Sequence, residues 1–192
     1  MQLSASNKSP GRMRRCSGAV KLPILITLAS LLAVGGIIAW SAHSPRPLPE
    51  GTRADRIVVK KAAHTLELYR GSELLRSYRV ALGREPRGTK HQEGDGRTPE
   101  GAYTLDYRKA DSAFHRALHI SYPAAKDIAA AKAQGVRPGG LIMVHGIRNG
   151  LQFLGRLHAL IDWTDGCVAV TNSEIEEIWR VVSDGIPIII EP

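Results

Sequence analysis

The sequence predicts a mainly β domain with two short helices, preceded by one apolar N-terminal helix. Short alternating or β-branched runs separated by turn residues outnumber the helical patterns. A single uncharged run, Leu22 to Trp40, stands apart near the N-terminus. The 192 residues suffice for one such segment and one modest domain, not for two substantial cores.

As a helix, residues 22–40 span about 28 Å, close to the hydrocarbon thickness of a bilayer. Lys8, Arg12, Arg14, Arg15 and Lys21 precede the run, and no acid occurs before Glu50. That asymmetry keeps residues 1–21 inside as a basic cytoplasmic tail and sends the remainder out. A signal-anchor is favoured because the run exceeds the h-region of a cleaved signal peptide. Ala39-Trp40-Ser41 nevertheless offers a small-x-small cleavage site, which would instead release the domain into the periplasm. Either way the domain is exported, the anchored form being a single-pass protein of the inner membrane.

The formal charge of +8 owes six of its cations to Arg46 and the five of the tail. The exported part lacks the clustered basic excess that nucleic-acid binding needs, so no nucleic-acid partner is expected. Cys16 falls in the tail, leaving Cys167 as the one cysteine of the exported part, without a disulfide partner there. An isolated thiol in an oxidising compartment is either buried or chemically used.

Residues 41–55, with Pro45, Pro47 and Pro49, read as a stiff tether into a domain at 56–192. Arg56–Lys60, Thr65–Tyr69 and Leu74–Leu82 have strand character, the last two joined by a turn at Arg70–Glu73. Gly83 to Gly101 is a polar, turn-rich loop of the kind that also holds substrate. Strands resume at Ala102–Tyr107 and Ala117–Ser121. A helix then runs from Pro123 in its first turn to Gln134, closed by Gly135. Leu141–His145 is apolar on both faces and reads as a central strand. Thr171 and Glu174 fit a capping box for a helix burying Ile175, Ile178, Trp179 and Val182. Ile186–Ile190 forms a last strand, whose Pro187 suggests an edge or entry position.

His145-Gly146 ends one apolar strand, and Thr164-Asp165-Gly166-Cys167 leads into another apolar stretch. An imidazole beside a thiol can take its proton, and a glycine before it permits a turn that aims the Gly166 and Cys167 N–H groups at an oxyanion. His145 can be oriented by a backbone carbonyl. Other readings of the same residues stay open. A cysteine in an apolar run also reads as a small buried hydrophobe. His145, His158, Asp165 and Cys167 have the donor types of a zinc site but lack its paired short spacings. His158 reads as a loop or surface residue, and Trp163 either lines a substrate groove or packs.

With these motifs the chain resembles the L,D-transpeptidase catalytic domain (YkuD) family. The likeness rests on His145-Gly146, Thr164-Asp165-Gly166-Cys167-Val168 followed by Asn172, the Thr98-Pro99-Glu100-Gly101 element and the Arg137-Pro138-Gly139-Gly140 approach to the histidine. It spans residues 56–190 and implies a β-sandwich or barrel-like fold. It also implies a two-step reaction on peptidoglycan tetrapeptide stems. Cys167 is the expected nucleophile, His145 the base, the Gly146 carbonyl its orienter and Gly166 an oxyanion N–H. Thr164, Asp165, Trp163 and Asn172 are the expected substrate contacts. No metal or organic cofactor is implied. The thioester then passes to an amine of a second stem, to a lipoprotein lysine, or to water, and carbapenems acylate the same thiol. Two departures mark a divergent subgroup: Ala169 stands where the family carries Arg, and Asp165 where it often carries His. A thiol hydrolase cutting peptidoglycan–lipoprotein or stem-peptide bonds, and a non-catalytic wall-binding module, are the alternatives.

Overall fold

The computed structural model describes residues 21–42 and 46–192. The chain divides into two compact units, residues 1–39 and 40–192. In the first, Lys21–Ala42 begins a helix, α1, that continues three residues into the second unit's range. Its side chains are described from Ile24 to Gly36, where Leu31 and Leu32 are exposed. Among the described residues no helix is long and apolar enough to cross a membrane. All but Lys21 of the expected 1–21 tail lies outside those residues, and within the expected 22–40 span side chains are described only from Ile24 to Gly36.

The second unit is built on eight strands: β1 Arg56–Lys60, β2 Thr65–Arg70, β3 Glu73–Arg79, β4 Gly101–Ser112, β5 His115–Ile120, β6 Met143–His145, β7 Val168–Ala169 and β8 Pro187–Glu191. Their order in the sheet is β3-β2-β1-β8-β4-β5-β6-β7. β4 belongs to both halves: Gly101–Thr104 pairs with β8, and the remainder pairs with β5 across two register shifts. Such irregularities bend a strand and let a sheet curl. The ends of the order then meet, because Ala81 bridges Ala169 and Gly83 bridges Thr164 just after β3. The sandwich or barrel-like expectation is met in this form: one curled, nearly closed sheet around a core that includes Leu66, Leu68, Leu105, Leu118, Ile188 and Ile190.

Helix α2, Ala125–Ala133, starts after Pro123 rather than on it, with the Ala124 N–H bonded to Asp127 Oδ2 at 2.9 Å. Helix α3, Asn172–Val181, has the expected cap. Thr171 Oγ1 accepts from the Glu174 amide, and the Glu174 carboxylate accepts from the Thr171 amide. This satisfies two N–H groups that a helix start leaves open.

The sequence pattern differs from the structure in four places. β4 runs five residues beyond Tyr107, since its outer part pairs with β5 at the rim. β6 begins only at Met143, because Leu141 adopts φ 55° and stands exposed. A 3₁₀ segment, Gln152–Leu160, kinked at Gly155, fills a stretch that had no element assigned. The tether is also shorter than 41–55. Leu48 packs on the core, its amide bonds Glu177 Oε1 at 2.5 Å, and the Ala54 amide bonds the Val181 carbonyl. Pro47 and Pro49 hold Leu48 in an extended stretch with its side chain available for packing.

Candidate active site

β6 and β7 run parallel, with Val144 opposite Val168 and His145 opposite Ala169. Side chains alternate along a strand. Val144 and Val168 therefore turn into the core, and both are fully buried. Met143 and His145 face the other way, and so does Cys167, one step before β7. His145 and Cys167 accordingly line one groove of about 940 Å³. Its walls include Phe114, Leu141, Leu151, Leu154, Ile161 and Trp163.

His145 is 3 % exposed, and its Nδ1 lies 2.6 Å from the Gly146 carbonyl oxygen. A carbonyl only accepts, so Nδ1 carries the proton and Nε2 is left as the base. Burial lowers the His145 pKa to about 4, against the Gly146 bond that raises it. The imidazole is therefore neutral at pH 7. Phe114 and Trp163 hold the ring, with centroids 4.5 and 5.7 Å away. Behind it, Asn172 Oδ1 accepts the Ile147 amide at 2.8 Å. A Cβ on Gly146 would approach that same oxygen to 2.8 Å, so glycine lets the turn close on α3. Asn172 thus braces the histidine turn and is not among the groove-lining residues, unlike the substrate contact expected of it.

Cys167 sits at the end of a tight turn whose hub is Thr164. The Thr164 hydroxyl donates to the Cys167 carbonyl at 2.8 Å and accepts the Gly166 amide at 3.2 Å. Thr164 lines the groove, but its hydroxyl is engaged in the turn. The Gly166 N–H is likewise directed at Thr164, so service to an oxyanion would require it to be shared or redirected. Gly166 has φ 122°, and a Cβ there would lie 2.5 Å from the Arg97 carbonyl oxygen. Burial raises the thiol's pKa above its ordinary value. The Met143 amide opposes that shift, the Asp165 charge adds to it and Lys90 counters it. The Cys167 thiol lies 3.6 Å from the Leu141 carbonyl. Asp165 is exposed and ion-paired with Arg84, which directs its carboxylate outward.

The loop from Gly83 to Gly101 locks this turn from beneath. A Cβ on Gly83 would overlap the Gly96 carbonyl oxygen, and the Gly83 amide donates to Thr98 Oγ1 at 3.0 Å. Asp95 accepts the His91, Gln92 and Arg97 amides and pairs with buried Lys90 at 2.8 Å, which holds its pKa near 2 despite burial. Buried Lys61 donates to the Gly88 and Thr98 carbonyls and to Glu100. The Thr98–Gly101 element is therefore scaffolding for the cysteine turn.

His158 corrects the reading of a surface residue. It is 4 % exposed on the 3₁₀ segment, lines the groove and lies against Trp163 with centroids 6.4 Å apart. The sequence signal was present but weak: Phe153, Leu154, Leu157 and Leu160 recur at helical spacing around it. The four candidate zinc donors do not form a set, since Asp165 turns to Arg84. Among the described residues no group of three or more His, Cys, Asp and Glu could hold a metal ion.

Residues 54–190 match the family model described as the L,D-transpeptidase catalytic domain, YkuD. A curated relative, "Putative L,D-transpeptidase YafK" of Escherichia coli (strain K12), is 31 % identical over 133 residues, 66 % of this chain and 46 % of the relative. The chain thus spans about half the length of the curated relatives it matches. Among solved structures, the helical cell shape determining protein Pgp2 of Campylobacter jejuni aligns with TM-score 0.53 and 22 % identity. That alignment covers 82 % of this chain and 54 % of Pgp2. Bd1075 of Bdellovibrio bacteriovorus gives TM-score 0.51 at 24 % identity, over 75 % and 50 % of the two chains. At these identities the two structures establish the shared fold.

Proposed function

Since the chain belongs to the L,D-transpeptidase catalytic domain family, we propose that it is a cysteine acyltransferase acting on peptidoglycan tetrapeptide stems. The observation that carries this reading is the placement of His145 at the end of β6 and Cys167 one residue before the parallel β7, lining one groove, with His145 Nδ1 held by the Gly146 carbonyl. The Cys167 thiol gives its proton to His145 Nε2 as sulfur attacks the carbonyl of the L-centre of a diaminopimelate residue. The C–N bond to the terminal D-alanine breaks, and that proton leaves with the amine. An amine acceptor then attacks the thioester and regenerates the thiol. The neutral histidine favours a general-base mechanism over a standing thiolate–imidazolium pair.

The acceptor divides two readings. Apolar walls that keep water from a thioester favour transfer to an amine, of a second stem or a lipoprotein lysine. Ala169, buried opposite His145 where the family carries Arg, removes a cation that could hold a substrate carboxylate, and this departure motivates the second reading, a hydrolase of peptidoglycan–lipoprotein or stem-peptide bonds. Mass spectrometry of products from a defined tetrapeptide muropeptide and a lipoprotein-linked one separates them. Loss of D-alanine with a new amide bond marks the transferase. Release of the linked peptide without a new bond marks the hydrolase, and no change with either substrate would exclude both.

In this reading residues 22–40 anchor the protein in the inner membrane and the catalytic domain faces the periplasm, with signal cleavage as the alternative. The uncharged run from Leu22 to Trp40, preceded by five cations and no acid, supports the placement. Fractionation of the full chain tests it: recovery in the soluble cytoplasmic fraction would contradict it.

A further inference from the structure

The turn that carries His145 is gripped from outside the groove by two elements, the tip of the β4–β5 hairpin and the start of α3. The Gly146 amide donates to the Phe114 and Arg116 carbonyls at 3.1 and 3.2 Å, and the Asn149 amide donates to the Ala113 carbonyl at 2.9 Å. In return Asn149 Oδ1 accepts the His115 amide at 3.0 Å. A Cβ on Gly146 would meet the Phe114 carbonyl oxygen at 3.0 Å and His115 Cβ at 3.2 Å, so the tip lies directly on the histidine turn.

His115 holds φ 67°. A residue with a side chain keeps that conformation only where its surroundings over-determine it. Here α3 does so. His115 Nε2 lies 2.8 Å from Glu176 Oε1, and Arg116 Nε pairs with the same oxygen at 2.8 Å. The Arg116 guanidinium also lies over the Trp179 ring, 4.7 Å from its centroid. Glu176 follows Asn172 by one helical turn, so the two share a face of α3. Asn172 holds the Ile147 amide, and Glu176 holds the hairpin tip. Between these holds Phe114 is laid on the His145 ring, with centroids 4.5 Å apart.

Glu176, His115 and Arg116 are half-exposed, and ion pairs so placed add little to global stability. They can still decide whether the tip is closed or open. With the tip open, water reaches the His145 imidazole and favours its charged form. The other titratable or charged groups around His145 are His158 of the 3₁₀ segment, Cys167 with Lys90 and Asp165 acting on it, and Lys109 and Arg148 along the groove. We propose that Glu176, with His115 and Arg116, forms a clamp outside the groove that keeps the Phe114 ring closed over His145 during acyl transfer. Glu176 is a positioning residue, acting on the base through Phe114. The inference rests on the acyltransferase reading and adds to it what keeps the base dry.

Two measurements on the full chain test the clamp. One is the pH titration of the His145 imidazole by NMR of isotope-labelled histidine, and the other the rate of Cys167 acylation by a carbapenem between about pH 4 and 8. Glu176→Ala should raise the proton affinity of His145 about ten-fold and carry the acid limb of acylation with it, leaving the rate at about pH 8 nearly that of the wild type. The melting temperature should change little. Glu176→Gln still offers an oxygen to both N–H groups and should fall between the wild type and alanine. Phe114→Ala should raise the affinity by itself, and Glu176→Ala should add nothing to it, because both act through one ring. A Glu176→Ala protein whose His145 titrates as in the wild type would overturn the clamp. So would an equal effect of Glu176→Ala with and without the Phe114 ring. A rate that falls alike at every pH, together with the melting temperature, would mark a structural role and overturn it too. A wild type that the carbapenem never acylates would remove the acyltransferase reading, while the His145 titration would still decide whether the clamp exists.

Discussion

At the scale of single residues, burial sets the protonation states on which the chemistry depends. His145 at about 4 stays neutral and able to accept a proton throughout the range above that value. The acid limb of the Cys167 acylation rate should therefore lie near pH 4. An acid limb near 6.5, the value of a free imidazole, would show that the histidine is not buried in the working enzyme. Stability carries the same sign. The unfolded chain takes up protons on His145 and His158 below about 6.5, while the folded chain resists until about 4. Unfolding free energies from urea titrations should fall as pH drops from 6.5 to 4, by roughly 3 kcal/mol per histidine, and the fall should shrink in His158→Phe. Asn172→Ala leaves the Ile147 amide without its acceptor. It should cost about 1–3 kcal/mol in unfolding experiments and lower the acylation rate through a loosened histidine turn.

At the scale of elements, the site is the meeting of β6, β7 and the loop after β3, and close backbone approach holds them together. Gly83→Ala would drive a methyl group into the Gly96 carbonyl. We expect a loss of about 1–3 kcal/mol or more and faster amide exchange across residues 84–100, whereas unchanged exchange would show the loop to be independent of the cysteine turn. Much of this layer was legible in the sequence. The alternation in Arg56–Lys60 and Thr65–Tyr69, the Thr171 cap and the ordered His-Gly and Gly-Cys motifs each reflect a local physical rule. What escaped was non-local. The helical spacing of Phe153, Leu154, Leu157 and Leu160 hints at a segment, but not that its irregular turns lie over a groove and bury His158. The length of β4 depends on a β5 partner rather than on its own polar residues. The Gly166 amide looked free for an oxyanion until the Thr164 hydroxyl was found 3.2 Å away.

At the scale of the whole molecule, the catalytic unit extends N-terminal to its first strand. Leu48 and Ala54 pack or bond against α3 and the core, and Arg180 Nη2 donates to the Leu48 carbonyl at 2.8 Å. A chain begun at Arg46 should melt as the full protein does, while one begun at Arg56 should lose about 1–3 kcal/mol, a difference calorimetry would detect. With Leu48 packed on the core, the expected tether is shorter than residues 41–55. In an anchored protein this confines the groove to peptidoglycan close to the membrane.

The central claim, that Cys167 carries the acyl group, is tested most directly by intact-protein mass spectrometry after incubation with a carbapenem, for the wild type and Cys167→Ala. The expected result is one covalent adduct on the wild type, mapped to Cys167, and none on a folded Cys167→Ala protein. An adduct that persists in the variant, or a wild type that stays unlabelled while its thiol alkylates freely, would contradict it.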